Sequence, residues 1–301
     1  MAYLQKTAGT MMQTYMERIY SATTINHDHL YASLLRRRSL RPFYSRQFFR
    51  SVFLVSDYLQ SRPDLANNLH SSLIENQTHL LANDRYEKNR VFIDLALTTG
   101  SLVQEGELLK KESSYWQTPP LFHKARVLNP TEVMANEIEP LKEVQKYIRF
   151  SSILPDLATR LIIARRLYQK DQRAYQVERR SCHNPVEFKK RIGASYILPS
   201  FSNRLGIVVV HSYLSAPQEM RACAEVLRKQ GAWVYGVRLP GHGTNPESLA
   251  TKKWQVWRDA VENGYILMES LCRNVVLVGF SAGGSLVLEL ASRLDTLAGV
   301  I

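Results

Sequence analysis

The chain has 301 residues, 45% of them hydrophobic and 22% charged, proportions that exclude a disordered or collagen-like polypeptide and leave room for two domains. Lys and Arg outnumber Asp and Glu by 39 to 27, a net charge of +12, which attracts anionic surfaces without choosing among membrane headgroups, nucleic acid and acidic partners. Three cysteines, Cys182, Cys223 and Cys272, without CxxC spacing exclude a disulfide framework and read as buried thiols of a reducing, cytoplasmic setting. Residues 1–20 lack an apolar signal core, and no stretch reaches the ~18 apolar residues of a membrane span. A soluble protein, at most held at a membrane surface, is expected.

The charge is uneven: residues 205–301 carry nine Lys/Arg and eight Asp/Glu, residues 1–204 the other thirty and nineteen. The first part is expected to be a mostly helical, basic region, 1–196. Apolar side chains recur at three and four spacing in Met12, Tyr15, Met16 and Ile19, and again in Phe49, Val52 and Phe53. A third helix is expected from Asp156, placed to cap it, to about Arg180, with Leu157, Leu161, Ala164, Leu167 and Tyr168 on one side. Breaks are signalled at Arg62-Pro63-Asp64, at Gly100 and at Thr118-Pro119-Pro120.

From 197 to 301 the pattern changes to short β-branched runs alternating with amphipathic segments. Ile207-Val208-Val209-Val210 reads as a buried strand, 217–230 as a helix stopped by Gly231, and Trp233–Val237 as a second strand. Trp254, Trp257, Val261, Tyr265 and Met268 form a helical stripe. Val275-Val276-Leu277-Val278 is a third strand, 281–293 a helix, and 297–301 the start of a fourth strand. This alternation predicts an α/β fold with a parallel sheet covered on both faces.

Gly279-Phe280-Ser281-Ala282-Gly283 falls between the third strand and its helix. A serine on a sharp strand-to-helix turn projects its hydroxyl above the sheet edge, at a helix N-terminus that favours developing negative charge, and the flanking glycines keep side chains off the neighbouring strand and helix. The plainer alternative is a glycine-rich turn with Ser281 as an ordinary helix cap. Two further pieces precede this turn: Gly206-Ile207-Val208-Val209-Val210-His211, and Arg238-Leu239-Pro240-Gly241-His242-Gly243. In order and spacing, the three pieces resemble the N-terminal part of an α/β-hydrolase, about residues 206–301, of the carboxylesterase and monoacylglycerol-lipase-like branch.

The resemblance implies a partial α/β-hydrolase sheet and a serine hydrolase of carboxylic esters, lipid esters among them, working through an acyl-enzyme. Carried over by position, Ser281 is the nucleophile, the backbone N–H groups of Tyr213 and Ala282 form the oxyanion hole, and Gly279 and Gly283 are the glycines of the nucleophile turn. His211 and His242 fall to loop-shaping places near the site mouth. Ser212 stands where the family usually has glycine. The family's triad runs Ser, acid, His, each partner after a later strand. Only Glu289 and Asp295 follow Ser281 as carboxylates, and no histidine follows it, so the acid and histidine are expected beyond residue 301 of a truncated sequence. The alternative is a non-catalytic binding or scaffold protein. No metal or organic cofactor is implied, and the expected partner is a small-molecule ester or lipid.

Residues 1–196 resemble no family. Arg36-Arg37-Arg38, Arg41, Arg46 and Arg50 interleave with Phe43, Tyr44, Phe48, Phe49 and Phe53. That is compatible with peripheral contact to an anionic membrane and, preferred here, with a solvated basic face over an ordinary core. Nucleic acid is disfavoured because no reading motif accompanies the charge. His27-Asp28-His29 lacks further spaced metal ligands. The His79/Asp84 spacing resembles the catalytic pair of glycerolipid acyltransferases, without that family's strand pattern or phosphate-binding block, and reads better as a helical surface pair.

Overall fold

The computed structural model describes residues 7, 10–12, 14–15, 18–19, 22–82, 87–116, 129–181, 192–244, 246–294 and 296–301. They pack in two units, one within Met1–Leu80 and Arg85–Thr159, the other within Leu81–Asp84 and Arg160–Ile301.

In the first unit, α1 (His27–Arg37) starts with a capping box: the Asn26 side chain accepts the His29 N–H, and His29 Nδ1 accepts the Asn26 N–H. Its buried side carries Leu30, Tyr31, Leu34 and Leu35, and α2 (Ser45–Gln60) buries Phe48, Val52, Phe53, Val55 and Leu59. Tyr31 anchors the core. Its ring lies 4.8 Å from that of Phe92 on α3 (Glu87–Thr98), and its hydroxyl donates to Asn89 Oδ1 at 2.6 Å. Gly100, with φ 76°, ends α3. A hairpin that the helical reading of this region missed follows: β1 (Leu102–Glu105) pairs antiparallel with β2 (Leu108–Lys111). Its two-residue turn places Gly106 at φ 62°, a left-handed position suited to the first central residue of a tight hairpin. Helices α4 (Pro130–Glu137) and α5 (Lys142–Ile153) complete this part.

The basic and aromatic segment is engaged within this unit. Phe43, Phe48, Phe53 and Arg50 are buried, Arg36 and Arg37 both pair with Glu139, and the Arg38 guanidinium lies 4.0 Å from the Phe43 ring centroid. Arg50 Nη1 meets Asp156 Oδ1 at 2.8 Å. Met12, Tyr15 and Ile19 are helical but exposed. Met16 and the expected break at 118–120 lie outside the described residues. Among the described residues, no helix is long and apolar enough to cross a membrane.

Helix α6 spans Asp156–Arg180, as its periodicity predicts, but only part of the expected side, Ala164 and Leu167, is buried. Leu157 and Leu161 are exposed, whereas Ile163, Ala164, Leu167 and Tyr175 are inside; the shift aligns the apolar stripe with Tyr175, two turns beyond Tyr168. Asp156 is the first helical residue and spends its carboxylate on Arg50. The helix crosses from one unit to the other at Thr159 and Arg160, so the packing division lies upstream of the 196/197 boundary expected from composition. Composition changes where strands begin, while packing follows the helix face. Arg160 shows this, donating to the backbone oxygens of Glu269, Ser270 and Cys272 in the second unit.

The second unit is built on five strands in the order β3-β5-β4-β6-β7: β3 (Tyr196–Leu198), β4 (Leu205–Val210), β5 (Trp233–Val237), β6 (Asn274–Gly279) and β7 (Gly299–Val300). β4 lies between β5 and β6, parallel to both, and β7 is parallel to β6. The exception is β3, antiparallel to β5 with Tyr196 opposite Gly236. A Cβ on Gly236 would stand 2.3 Å from the Tyr196 ring, so the glycine makes room for that tyrosine. Besides α6, the unit's longer helices among the described residues are α7 (Arg221–Lys229), α8 (Trp254–Leu271) and α9 (Ala282–Ala291). Gly231 after α7 takes φ 99°. Cys272 is buried, and burial pushes its thiol up to about 11. Cys223 is exposed, contrary to expectation, and Cys182 lies outside the described residues.

Candidate active site

β6 ends at Gly279, and two residues later α9 begins with Ser281 as its N-cap. Ser281 has φ 54° and ψ −116°. A side-chain-bearing residue rarely adopts this region, and holding it there costs about 1–3 kcal/mol. The turn survives because its neighbours permit no other path. A Cβ on Gly279 would lie 2.5 Å from the carbonyl oxygen of Gly283, and one on Gly283 would lie 2.5 Å and 2.6 Å from the oxygens of Val210 and His211. Ser281 is exposed and its side chain makes no capping hydrogen bond to α9. Among the described residues no side chain hydrogen-bonds its hydroxyl. The plain capping role is therefore absent, and the oxygen stands at a helix N-terminus, where partial positive charge accumulates.

The parallel register aligns Val210 with Gly279, and the Phe280 N–H donates to the Val210 oxygen at 3.0 Å. This brings the loop after β4, carrying His211, Ser212 and Tyr213, beside the serine turn. Ser212, in place of the usual glycine, needs no special backbone: Leu214 (φ 58°) and Ser281 are the two non-glycine positions with positive φ among the described residues. Tyr213 is about half exposed, and its ring packs on His242 at 5.6 Å and Trp257 at 5.9 Å between centroids.

Neither expected site-mouth histidine stands open. His211 is wholly buried; its Nδ1 donates to the Ser212 oxygen at 2.8 Å, and its Nε2 accepts the Leu239 N–H at 3.3 Å. Burial lowers its pKa to about 4, so the ring is neutral and ties two loops together. His242 is also buried, its Nδ1 near the Leu239 oxygen at 3.3 Å, with its pKa lowered by burial. It forms part of a cavity wall. This cavity, about 430 Å³, is lined by Tyr213, Leu239, His242, Trp254, Trp257, Ala282, Ser285, Leu286 and Glu289, a mainly apolar set beginning one residue after Ser281. The Glu289 carboxylate is bound by the Arg293 guanidinium at 3.0 and 3.1 Å, so it serves as a structural charge.

Sequence reasoning missed the support beneath the Arg238–Gly243 turn. Arg238, 2% exposed, donates to Asp171 Oδ1 at 3.0 Å and to Glu178 Oε2 at 2.8 Å, both on α6. The same Glu178 oxygen accepts the Gly241 N–H at 3.0 Å, and Lys252 Nζ meets its other oxygen at 3.1 Å. Burial alone would raise the Glu178 pKa, but Arg238, the Gly241 amide and Lys252 outweigh it and hold the carboxyl low. The available signal was two carboxylates seven residues apart on one helix, facing an arginine at the end of an apolar strand.

The other candidate clusters turn to different work. His27 Nε2 bonds Gln77 and His29 Nε2 bonds Glu137. Among the described residues no group of His, Cys, Asp or Glu is arranged to hold a metal. His79 is half-buried, its Nδ1 2.7 Å from the Asn76 oxygen, and Asp84 lies outside the described residues.

The alpha/beta hydrolase family model matches residues 207–301. A thermostable monoacylglycerol lipase from Bacillus sp. (strain H-257) is 34% identical over 97 residues, covering 32% of this chain and 39% of the lipase. A structure reported for LipS and LipT, two metagenome-derived lipolytic enzymes, is 30% identical, covers 35% of this chain and 43% of its own, and has a TM-score of 0.31. The chain thus spans about two-fifths of the length of the curated relative it matches. Residues 207–301 therefore match the α/β-hydrolase family model and are similar in sequence to a lipase of that kind.

Proposed function

We propose that the second unit is part of a serine hydrolase of carboxylic esters, with acyl lipids as the favoured substrate class. The observation that carries the reading is Ser281: a strained, exposed serine at the head of α9, whose side chain makes no bond to the helix it caps, beside an apolar cavity. Its Oγ would attack the acyl carbonyl carbon, the carbonyl electron pair moving to oxygen and the hydroxyl proton to a histidine base outside the described residues. The amides of Tyr213 and Ala282 would bind the oxyanion, a preorganised arrangement in which one donor contributes about 2.7–4 kcal/mol to the barrier reduction. Collapse expels the alcohol with that proton, and water repeats the sequence on the acyl-enzyme. The apolar cavity, with its neutral imidazole and arginine-bound carboxylate, suits an uncharged aliphatic group.

The test is labelling of the full-length protein with a fluorophosphonate. Covalent labelling that disappears in Ser281→Ala supports the reading, and equal labelling of the two proteins overturns the nucleophile assignment.

A further inference from the structure

Helix α6 precedes the family-matched segment 207–301, yet its carboxylates reach the wall of the cavity beside Ser281 through a chain of direct contacts. Asp171 and Glu178 are two helical turns apart and therefore share a face. Between them they take up a single buried guanidinium, Arg238, with the Tyr175 ring of the same helix 6.0 Å from its carbon. Glu178 does more than neutralise charge, because the oxygen that binds Arg238 also accepts the backbone N–H of Gly241. Gly241 sits at φ 89°, where a side chain would strike the Leu249 backbone at 2.7 Å, so the turn has one path. The next residue is His242. Its ring stacks edge-on with Trp257 at 5.1 Å and Tyr213 at 5.6 Å, and the Trp257 indole N–H donates to the Pro240 oxygen at 2.9 Å. His242, Trp257 and Tyr213 all line the cavity.

The geometry points to Glu178 as a positioning residue for the acyl subsite: through Gly241 and Arg238 it sets where His242 and Trp257 stand, so α6 belongs functionally to the hydrolase. This rests on the ester-hydrolase reading of Ser281. Removing a partner from a buried, hydrogen-bonded charge cluster leaves Arg238 undercompensated and the Gly241 amide without its acceptor. A displacement of the wall by a fraction of an ångström follows, and it weakens the hold on a long acyl group more than on a short one, which scarcely touches the wall.

The experiment measures, in the full-length protein, kcat/KM for p-nitrophenyl octanoate and p-nitrophenyl acetate, and takes their ratio. A purely structural role would lower the amount of active enzyme and both rates alike, leaving the ratio where it was. Glu178→Ala is expected to lower the octanoate-to-acetate ratio about fivefold, mainly through KM for octanoate. Glu178→Gln, whose amide oxygen still accepts the Gly241 N–H, should restore it to within about twofold. Glu225→Ala, which breaks ion pairs confined to α7, should leave it unchanged. If Glu178→Ala does not fold, Glu178→Asp, too short to reach Gly241, carries the same expectation. An unchanged ratio in the folded variant, with hydrolysis still abolished by Ser281→Ala, overturns the positioning role alone. Absence of Ser281-dependent hydrolysis in the unmutated protein overturns the hydrolase reading and this inference with it.

Discussion

A Cβ on Gly283 would stand 2.5 Å from the carbonyl oxygen of Val210, so the start of α9 is pressed against the end of β4 as closely as a backbone allows. The obstacle is main-chain atoms at the centre of the sheet, which have no rotamer through which to yield. Gly283→Ala should therefore push α9 away, destabilise the second unit by roughly 2 kcal/mol or more, and slow fluorophosphonate labelling at least about tenfold. Thermal unfolding together with labelling rates checks this, and an alanine variant equal to the parent in both would contradict the tight contact.

Ser281 should show the opposite relation between stability and chemistry. Glycine relieves the strain at φ 54°, worth about 1–3 kcal/mol, at an entropic cost of about 0.5–1 kcal/mol. Ser281→Gly is accordingly expected to be about 1 kcal/mol more stable in urea unfolding while losing all covalent labelling. A destabilised Ser281→Gly protein would mean the turn is not strained in solution.

Burial lowers the His211 pKa to about 4, against 6.5 when unperturbed, and in the first unit the His27 pKa likewise. Between pH 6.5 and pH 4 the unfolded chain takes up protons that these folded sites refuse, so stability falls as pH falls. The loss amounts to up to about 3 kcal/mol per group once pH is below the folded value. Urea midpoints should decline from pH 7 to pH 5, where most carboxylates are still ionised, and His211→Gln should flatten the part of that decline belonging to the second unit. A midpoint constant over this range would argue against neutral buried imidazoles.

The two described cysteines should separate cleanly in reactivity. Cys223 is exposed, whereas Cys272 is buried with its thiol pushed up to about 11, and only the thiolate reacts. Iodoacetamide at pH 8 is expected to modify Cys223 within minutes and Cys272 only in denaturant, as read by peptide mass mapping. Alkylation of native Cys272 at a comparable rate would show that the core around α8 opens.

Periodicity and turn chemistry were enough to locate most of this protein's elements. The ends of α6 at Asp156 and Arg180, the parallel strands and the serine turn all follow from local patterns, because helix spacing, β-branched runs and glycine placement act over a few residues. Which side of a helix is buried does not act over that range. Leu157 and Leu161 read as core and are exposed, since the surface available to α6 is set by strands and loops far along the chain. The hairpin at 102–111 and the antiparallel edge strand β3 were hidden for the same reason, their pairing partners being chosen in space.

Within the site, the glycine–serine turn announced itself, because steric exclusion at Gly279 and Gly283 leaves a sequence trace. The bond from Glu178 to Gly241 and Arg238 left only a faint trace, two carboxylates seven residues apart on one helix, because it joins residues 60 and 63 positions apart whose types are ordinary on a helix surface and at a strand end. Local chemistry along the chain therefore determined the candidate nucleophile and the strands that carry it. Folding decided what holds the cavity wall, because a buried guanidinium must find its counter-charges in three dimensions, wherever the chain has placed them.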